Sequence, residues 1–262
     1  MTKFDEATQA IRVDDQTYDV CLDPGYAIGG PLNGGYLMAV ILRAAVDASP
    51  FEHPVSTSAQ FLKAPVPGPA RVLVEPLKAG RTVGFARARL IQNDMPQIEA
   101  LITTATLAGA APGFSEKPPA LPPIEDCRKL PDPKPESGMT LNAQLDLRFD
   151  PPTIGWLSGR PSGRPESRAY FRMAEEQDPD PYVLALAVDV LPPVVFSAGH
   201  RGWAPTVDLT WHLRAVPAPG WLTVTGSGRL ISDGWFDEEV EVWDSAGRLV
   251  AQSRQLARVG RG

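Results

Sequence analysis

The chain carries the same run of secondary-structure signals twice, and that repetition constrains the fold more than any local propensity does. The segment PVSTSAQFLKAPVPGPARVLVEPLKAG starts at Pro54 and resembles PTVDLTWHLRAVPAPGWLTVTGSGRL, which starts at Pro205, an offset of about 151 residues. In each copy a strand ends in Leu-Lys-Ala or Leu-Arg-Ala (62–64 and 213–215) and runs into a Pro/Gly turn (65–69 and 217–220). An alternating strand follows (71–75 and 221–225), then a second (85–92 and 236–243), a tight turn (93–96 and 244–247) and a last strand (98–107 and 249–259).

Upstream of each block stands one apolar segment with the length of a helix, residues 35–48 and 182–196. The first follows Asn33-Gly34-Gly35, where Asn can cap and the glycines let a neighbouring group approach the backbone closely. Short strands precede the helices, near residues 17–22 and 168–173, and a further strand over 144–151 opens the second unit. The expected fold is therefore α+β, built from two tandem units over residues 1–110 and 141–262. The Pro-rich, charged stretch over 111–140 between them has a linker's composition.

One residue breaks the pattern. Asp189 lies inside PYVLALAVDVLPPVVF, and a lone ionised carboxylate there costs several kcal/mol unless it is exposed, paired or used. At the repeat offset its counterpart is Met38, while Thr206 falls on Val55 and Gln255 on Thr104. The polar set thus occurs once, as expected if one copy carries chemistry and the other serves as scaffold or pocket wall.

The two units resemble the hotdog fold in its double form, and the chain is similar to the acyl-CoA thioesterase II family. The resemblance rests on GGPLNGGYLMAVILRAA and STSAQFLKAPVPGPARVLVEPLKAGRTVGFARARLIQND in the first half, and on ALAVDVLPP, APTVDLTWHLR and LVAQSRQLARV in the second. It implies a long central helix wrapped by an antiparallel sheet in each repeat. It also implies hydrolysis of acyl-CoA or a related acyl thioester by a water held between an Asp, a Gln and a Thr or Ser. The matching residues are Asp189, followed by Leu191-Pro192, and Gln255, a few residues after Val250-Ala251.

The hydroxyl depends on how PTVDLTWHLR is anchored. Thr206 is the first candidate, and shifting the register on Trp211 makes Asp208 or Thr210 the alternative; a two-residue period puts Thr206, Asp208, Thr210 and His212 on one strand face. Asp208 and Thr210 join Asn33, Gly34 and Gly35 as substrate-binding candidates, the last three because N–H groups opening a helix can hold a developing oxyanion.

Other chemistries find little support. No Gly-x-Ser-x-Gly elbow occurs, Gly226-Ser227-Gly228 lacks the third glycine of a nucleotide loop, and His53, His200 and His212 have no metal-ligand spacing, so no cofactor or metal is expected. A formal net charge of −6 without a basic run argues against nucleic acid. Apolar stretches too short to span a bilayer, a polar acidic start and only two cysteines lead to the expectation of a cytoplasmic protein away from membranes. Open sheet edges and the family resemblance suggest a homodimer of double hotdogs. The alternative function is a double hotdog that binds an acyl thioester or a partner protein without turnover.

Overall fold

A computed structural model describes residues 1–260. The first half holds α1 (Lys3–Ala7), β1 (Ala10–Arg12), β2 (Thr17–Leu22), α2 (Gly34–Asp47), β3 (His53–Phe61), β4 (Gly68–Ala79), β5 (Val83–Gln92) and β6 (Met95–Ala105). The second holds β7 (Leu145–Phe149), β8 (Glu166–Met173), α3 (Pro181–Ala187), β9 (Thr206–Leu213), β10 (Leu222–Ser227), β11 (Ile231–Ser232), β12 (Trp235–Trp243) and β13 (Leu249–Arg258). All strands join one antiparallel sheet in the order β1-β2-β4-β5-β6-β3-β9-β13-β12-β10-β8-β7, with β11 paired to β12.

The halves meet where β3 pairs with β9, in the register Ser56↔His212, Ser58↔Thr210 and Gln60↔Asp208. Side chains alternate across each strand, so one face of this continuous sheet is apolar and must be covered. The two larger helices cover it. Leu37, Met38, Ile41 and Leu42 of α2 and Val183, Leu184 and Leu186 of α3 are buried in the same core cluster as Leu209, Trp211 and Val240 of the sheet. Each such large side chain contributes roughly 1.5–3 kcal/mol by leaving water.

The turns follow their residues. Asn93 and Asp94 both adopt positive φ, 53° and 59°, which a two-residue hairpin between β5 and β6 requires. The segment between β6 and β7 has only short 3-10 turns and straps both halves: Gly29 donates to the Gly138 carbonyl at 3.0 Å, and Arg128 bridges to Phe149. Among the described residues no helix is long and apolar enough to cross a membrane.

The second helix departs from expectation. A long helix over 182–196 is not formed, and α3 has seven residues against fourteen in α2. Pro192 and Pro193 explain the difference. A proline disfavours the helical conformation of the residue before it and donates no backbone hydrogen bond. The helix closes with the Asp189 N–H on the Leu186 carbonyl at 3.0 Å, and only a 3-10 turn, Val194–Phe196, follows the prolines. The caps also revise the repeat alignment. Asn33 accepts the Tyr36 N–H and Asp180 accepts the Val183 N–H. Superposing these caps sets Asp189 opposite Leu42 rather than Met38, where α2 continues but α3 has ended.

Candidate active site

Because α3 stops early, Asp189 leaves the helix and faces the start of α2 in the other half. Its Oδ2 accepts the Gly35 N–H at 2.9 Å and an Asn33 Nδ2–H at 3.0 Å, while Asn33 Nδ2 also donates to the Asp189 carbonyl at 2.8 Å. Asn33 thus has two jobs, since its Oδ1 caps α2 through the Tyr36 N–H at 2.8 Å. The helix N-terminus carries a partial positive charge, so the carboxylate sits where that field favours it.

The double glycine makes this approach possible. A Cβ on Gly35 would stand 2.6 Å from the Ala185 carbonyl oxygen, and one on Gly34 would stand 3.0 Å from Asp189 Oδ2 and from the Phe61 ring. Asp189 is surrounded by protein, and the residue as a whole keeps some accessible surface. Burial pushes its pKa up to about 6, with the Gly35, Gly34 and Asn33 hydrogen bonds holding it from rising further.

The sheet beneath supplies a second group. Thr206 Oγ1 donates to Gln255 Oε1 at 2.8 Å. Gln255 is on the buried face of β13, opposite Leu209. Simple alternation would put Thr206 on the outer face with Asp208, but the ladder slips: Asp208 pairs with Leu256 and Thr206 with the next residue, Ala257. Val207 is the extra residue of a β-bulge, and it turns Thr206 inward. The expectation that Thr206, Asp208, Thr210 and His212 share a face is therefore corrected.

Asp208 and Thr210 remain on the outer face, where Asp208 Oδ2 accepts from Gln60 Nε2 at 3.1 Å and Thr210 Oγ1 donates to Ser58 Oγ at 3.0 Å. They stitch the two halves of the sheet together, on the side away from Asp189. Asn33 and Gly35 do meet Asp189, but as its hydrogen-bond donors; the Gly35 N–H is engaged by the carboxylate rather than free for an oxyanion.

One residue escaped the sequence reading. Glu238 on β12 pairs directly with Gln255, is 2% exposed and accepts the Val194 N–H at 3.3 Å. Burial pushes its pKa up to about 8, helped by the charge of Asp189 and opposed by hydrogen bonds from Val194 and Gln255. The signal was present in WFDEEVEVW: Phe236, Glu238, Val240 and Val242 alternate on the buried face. Thr206 is thus hydrogen-bonded to Gln255, Gln255 lies directly across the ladder from Glu238, and the charge of Asp189 reaches Glu238. A separate surface cavity of about 220 Å³, lined by Lys3, Phe4, Tyr26, Gln144, Met173 and Glu175 among others, includes none of these four. Among the described residues, no group of three His, Cys, Asp or Glu side chains could hold a metal ion.

Residues 22–108 match the model of the acyl-CoA thioesterase N-terminal domain, and residues 124–259 match that of the acyl-CoA thioesterase C-terminal domain. The chain belongs to the acyl-CoA thioesterase family. A thioesterase II candidate from Thermobifida fusca YX has a similar structure, with 44% identity, a TM-score of 0.92 and coverage of 100% of this chain and 98% of that one. An uncharacterised Mycobacterium tuberculosis H37Rv protein, Rv0499, is 33% identical over 266 residues, covering 91% of this chain and 89% of that protein. A hot dog fold protein of unknown function from Alicyclobacillus acidocaldarius shares the fold at 20% identity, with a TM-score of 0.85 and coverage of 100% and 99%. In this member of the thioesterase family, Asn33 and Gly35 come from the matched N-terminal domain and Asp189, Thr206, Glu238 and Gln255 from the C-terminal one. The candidate site is assembled across both.

Proposed function

We propose that the protein hydrolyses acyl-CoA or a related acyl thioester, with Asp189, Thr206 and Gln255 holding the nucleophilic water. The observations that carry this reading are the Asp189 carboxylate anchored on α2 and the part-buried Thr206–Gln255 hydrogen bond, in a chain of the thioesterase family.

The directions of the hydrogen bonds assign each group a task. Oδ2 of Asp189 is occupied by α2, so Oδ1 is the oxygen that takes a proton. Thr206 spends its hydrogen on Gln255 and offers its oxygen lone pairs; Gln255 spends its oxygen on Thr206 and offers N–H. A water that donates to Asp189 and Thr206 and accepts from Gln255 keeps one lone pair for the thioester carbon. As that O–C bond forms, the proton passes to Asp189 and the carbonyl electrons move to oxygen. Their return expels the thiolate, which recovers the proton from Asp189, giving a carboxylic acid and a thiol.

A panel of acyl-CoA thioesters of graded chain length, followed by free-thiol detection, tests the reading. Thiol release by the wild type that falls on the order of 10²- to 10⁴-fold in Asp189→Asn supports it. Binding without turnover of any member would assign the protein to the non-catalytic acyl-thioester binders instead.

A further inference from the structure

Glu238 has no task in the reaction written above, yet it occupies a place that demands one. Its carboxyl is nearly inaccessible, and an ionised, unpaired carboxylate there would cost several kcal/mol. The groups facing it come from four directions. Gln255 on β13 is a neutral amide, and Val194 offers a backbone N–H. Gly226 on β10 contributes no side chain; a Cβ there would lie 3.3 Å from Glu238 Oε1 and 3.1 Å from Leu191. The charged group whose field reaches Glu238 is Asp189, and among the described residues no Lys, Arg or His forms an ion pair with it.

We propose that Glu238 is a positioning residue that works in its uncharged form, anchoring the Gln255 amide from the side opposite Thr206 and leaving Asp189 as the only negative charge of the site. The inference rests on the hydrolase reading above and adds a residue to it. Two arguments support it. Gln255 turns its oxygen to Thr206, so its nitrogen is directed to the Glu238 side; without an acceptor there, the amide is free to rotate and the water loses a donor. The reaction also gathers negative charge on the carbonyl oxygen in a poorly screened interior, where a second carboxylate would oppose it. The electrostatics agree in direction, since the α2 donors hold Asp189 at about 6 while Glu238 rises to about 8. Between those values the pair carries one charge, on Asp189.

The test is the pH profile of kcat/KM for wild type, Glu238→Gln and Glu238→Leu, with thermal melts of each across the same range. The wild type should give a bell with limbs near pH 6 and pH 8. Glu238→Gln, neutral at every pH and still able to hold the amide, should keep activity within about threefold at pH 7 and lose the alkaline fall. Glu238→Leu should lose on the order of tenfold or more at all pH values, chiefly in kcat. An alkaline fall that persists in Glu238→Gln, or a loss equal to that of Glu238→Leu in a variant that melts like wild type, would overturn the proposal.

The melts judge Glu238 separately from the reaction. A carboxyl raised on folding favours the native state below its ordinary value of 4.5, and that advantage is lost as pH climbs to about 8. The stability of Glu238→Gln relative to wild type should therefore rise across that window. If the wild type releases no thiol, the hydrolase reading fails; a flat stability difference would sink the uncharged Glu238 in either case.

Discussion

The backbone N–H of Gly35, in the first half of the chain, donates to Oδ2 of Asp189, in the second, at 2.9 Å. This contact orients the carboxylate and couples the start of α2 in one half to the segment after α3 in the other. It also occupies Oδ2, leaving Oδ1 as the oxygen not bonded to Gly35 or Asn33.

Asp189→Asn should slow hydrolysis on the order of 10²- to 10⁴-fold and stabilise the fold at neutral pH. The Asp189 pKa is raised on folding, so the ionised form is the costly one: its native-state advantage is complete below the ordinary value of 3.8 and is lost as pH rises through about 6. The amide avoids that loss and can present its oxygen to Gly35 and Asn33. Melting curves should show the variant gaining on wild type between pH 4 and pH 6, by up to about 3 kcal/mol, and still leading above. A variant less stable than wild type at pH 8 would mean that the hydrogen bonds from α2 outweigh burial.

Gly35→Ala sets two effects against each other. Alanine improves helix propensity by about 1 kcal/mol, but its Cβ would stand 2.6 Å from the Ala185 oxygen and 2.9 Å from the Leu186 oxygen, both backbone atoms of α3. Overpacking of this kind costs typically about 1–3 kcal/mol, so the clash should prevail and separate α2 from Asp189. A lowered melting temperature with a more than tenfold drop in kcat/KM is expected. Unchanged activity would show that the close approach of the helices is dispensable.

The β-bulge at Val207 divides residues that simple alternation would group. Thr206→Val removes the hydrogen bond to Gln255 and should lower kcat on the order of tenfold to a hundredfold. Asp208→Asn and Thr210→Val alter the outer face and should stay within about twofold of wild type. Equal losses at 206 and 210 in steady-state assays would contradict the inward turn of Thr206.

Much of this molecule can be read from its sequence, and what cannot has physical reasons. Alternation and turn residues reveal the strands, because each buries one face and the hairpins need residues such as Asn93 and Asp94. Asn33 marks the start of α2, since its side chain supplies the cap. Sequence overstates the length of α3 because PYVLALAVDVLPPVVF is apolar apart from Asp189; hydrophobicity does not show that the prolines bar helix beyond Val190 or that it closes at Ala187. The bulge at Val207 has no local signature, as it is a property of pairing with Leu256 and Ala257. Glu238 was legible by alternation, but its flanking acids Asp237 and Glu239 disguise it as part of a solvated run.

In the proposed reaction Asp189 is the base that activates water, and a single-turnover reaction in ¹⁸O-labelled water, with excess enzyme over an acyl-CoA that the protein accepts, tests that role at the reacting atoms. Direct attack predicts one ¹⁸O in the product acid of the first turnover and no label in the peptide containing Asp189. Label in the Asp189 carboxylate with an unlabelled first-turnover acid would show that the residue attacks the thioester itself, and would contradict the account.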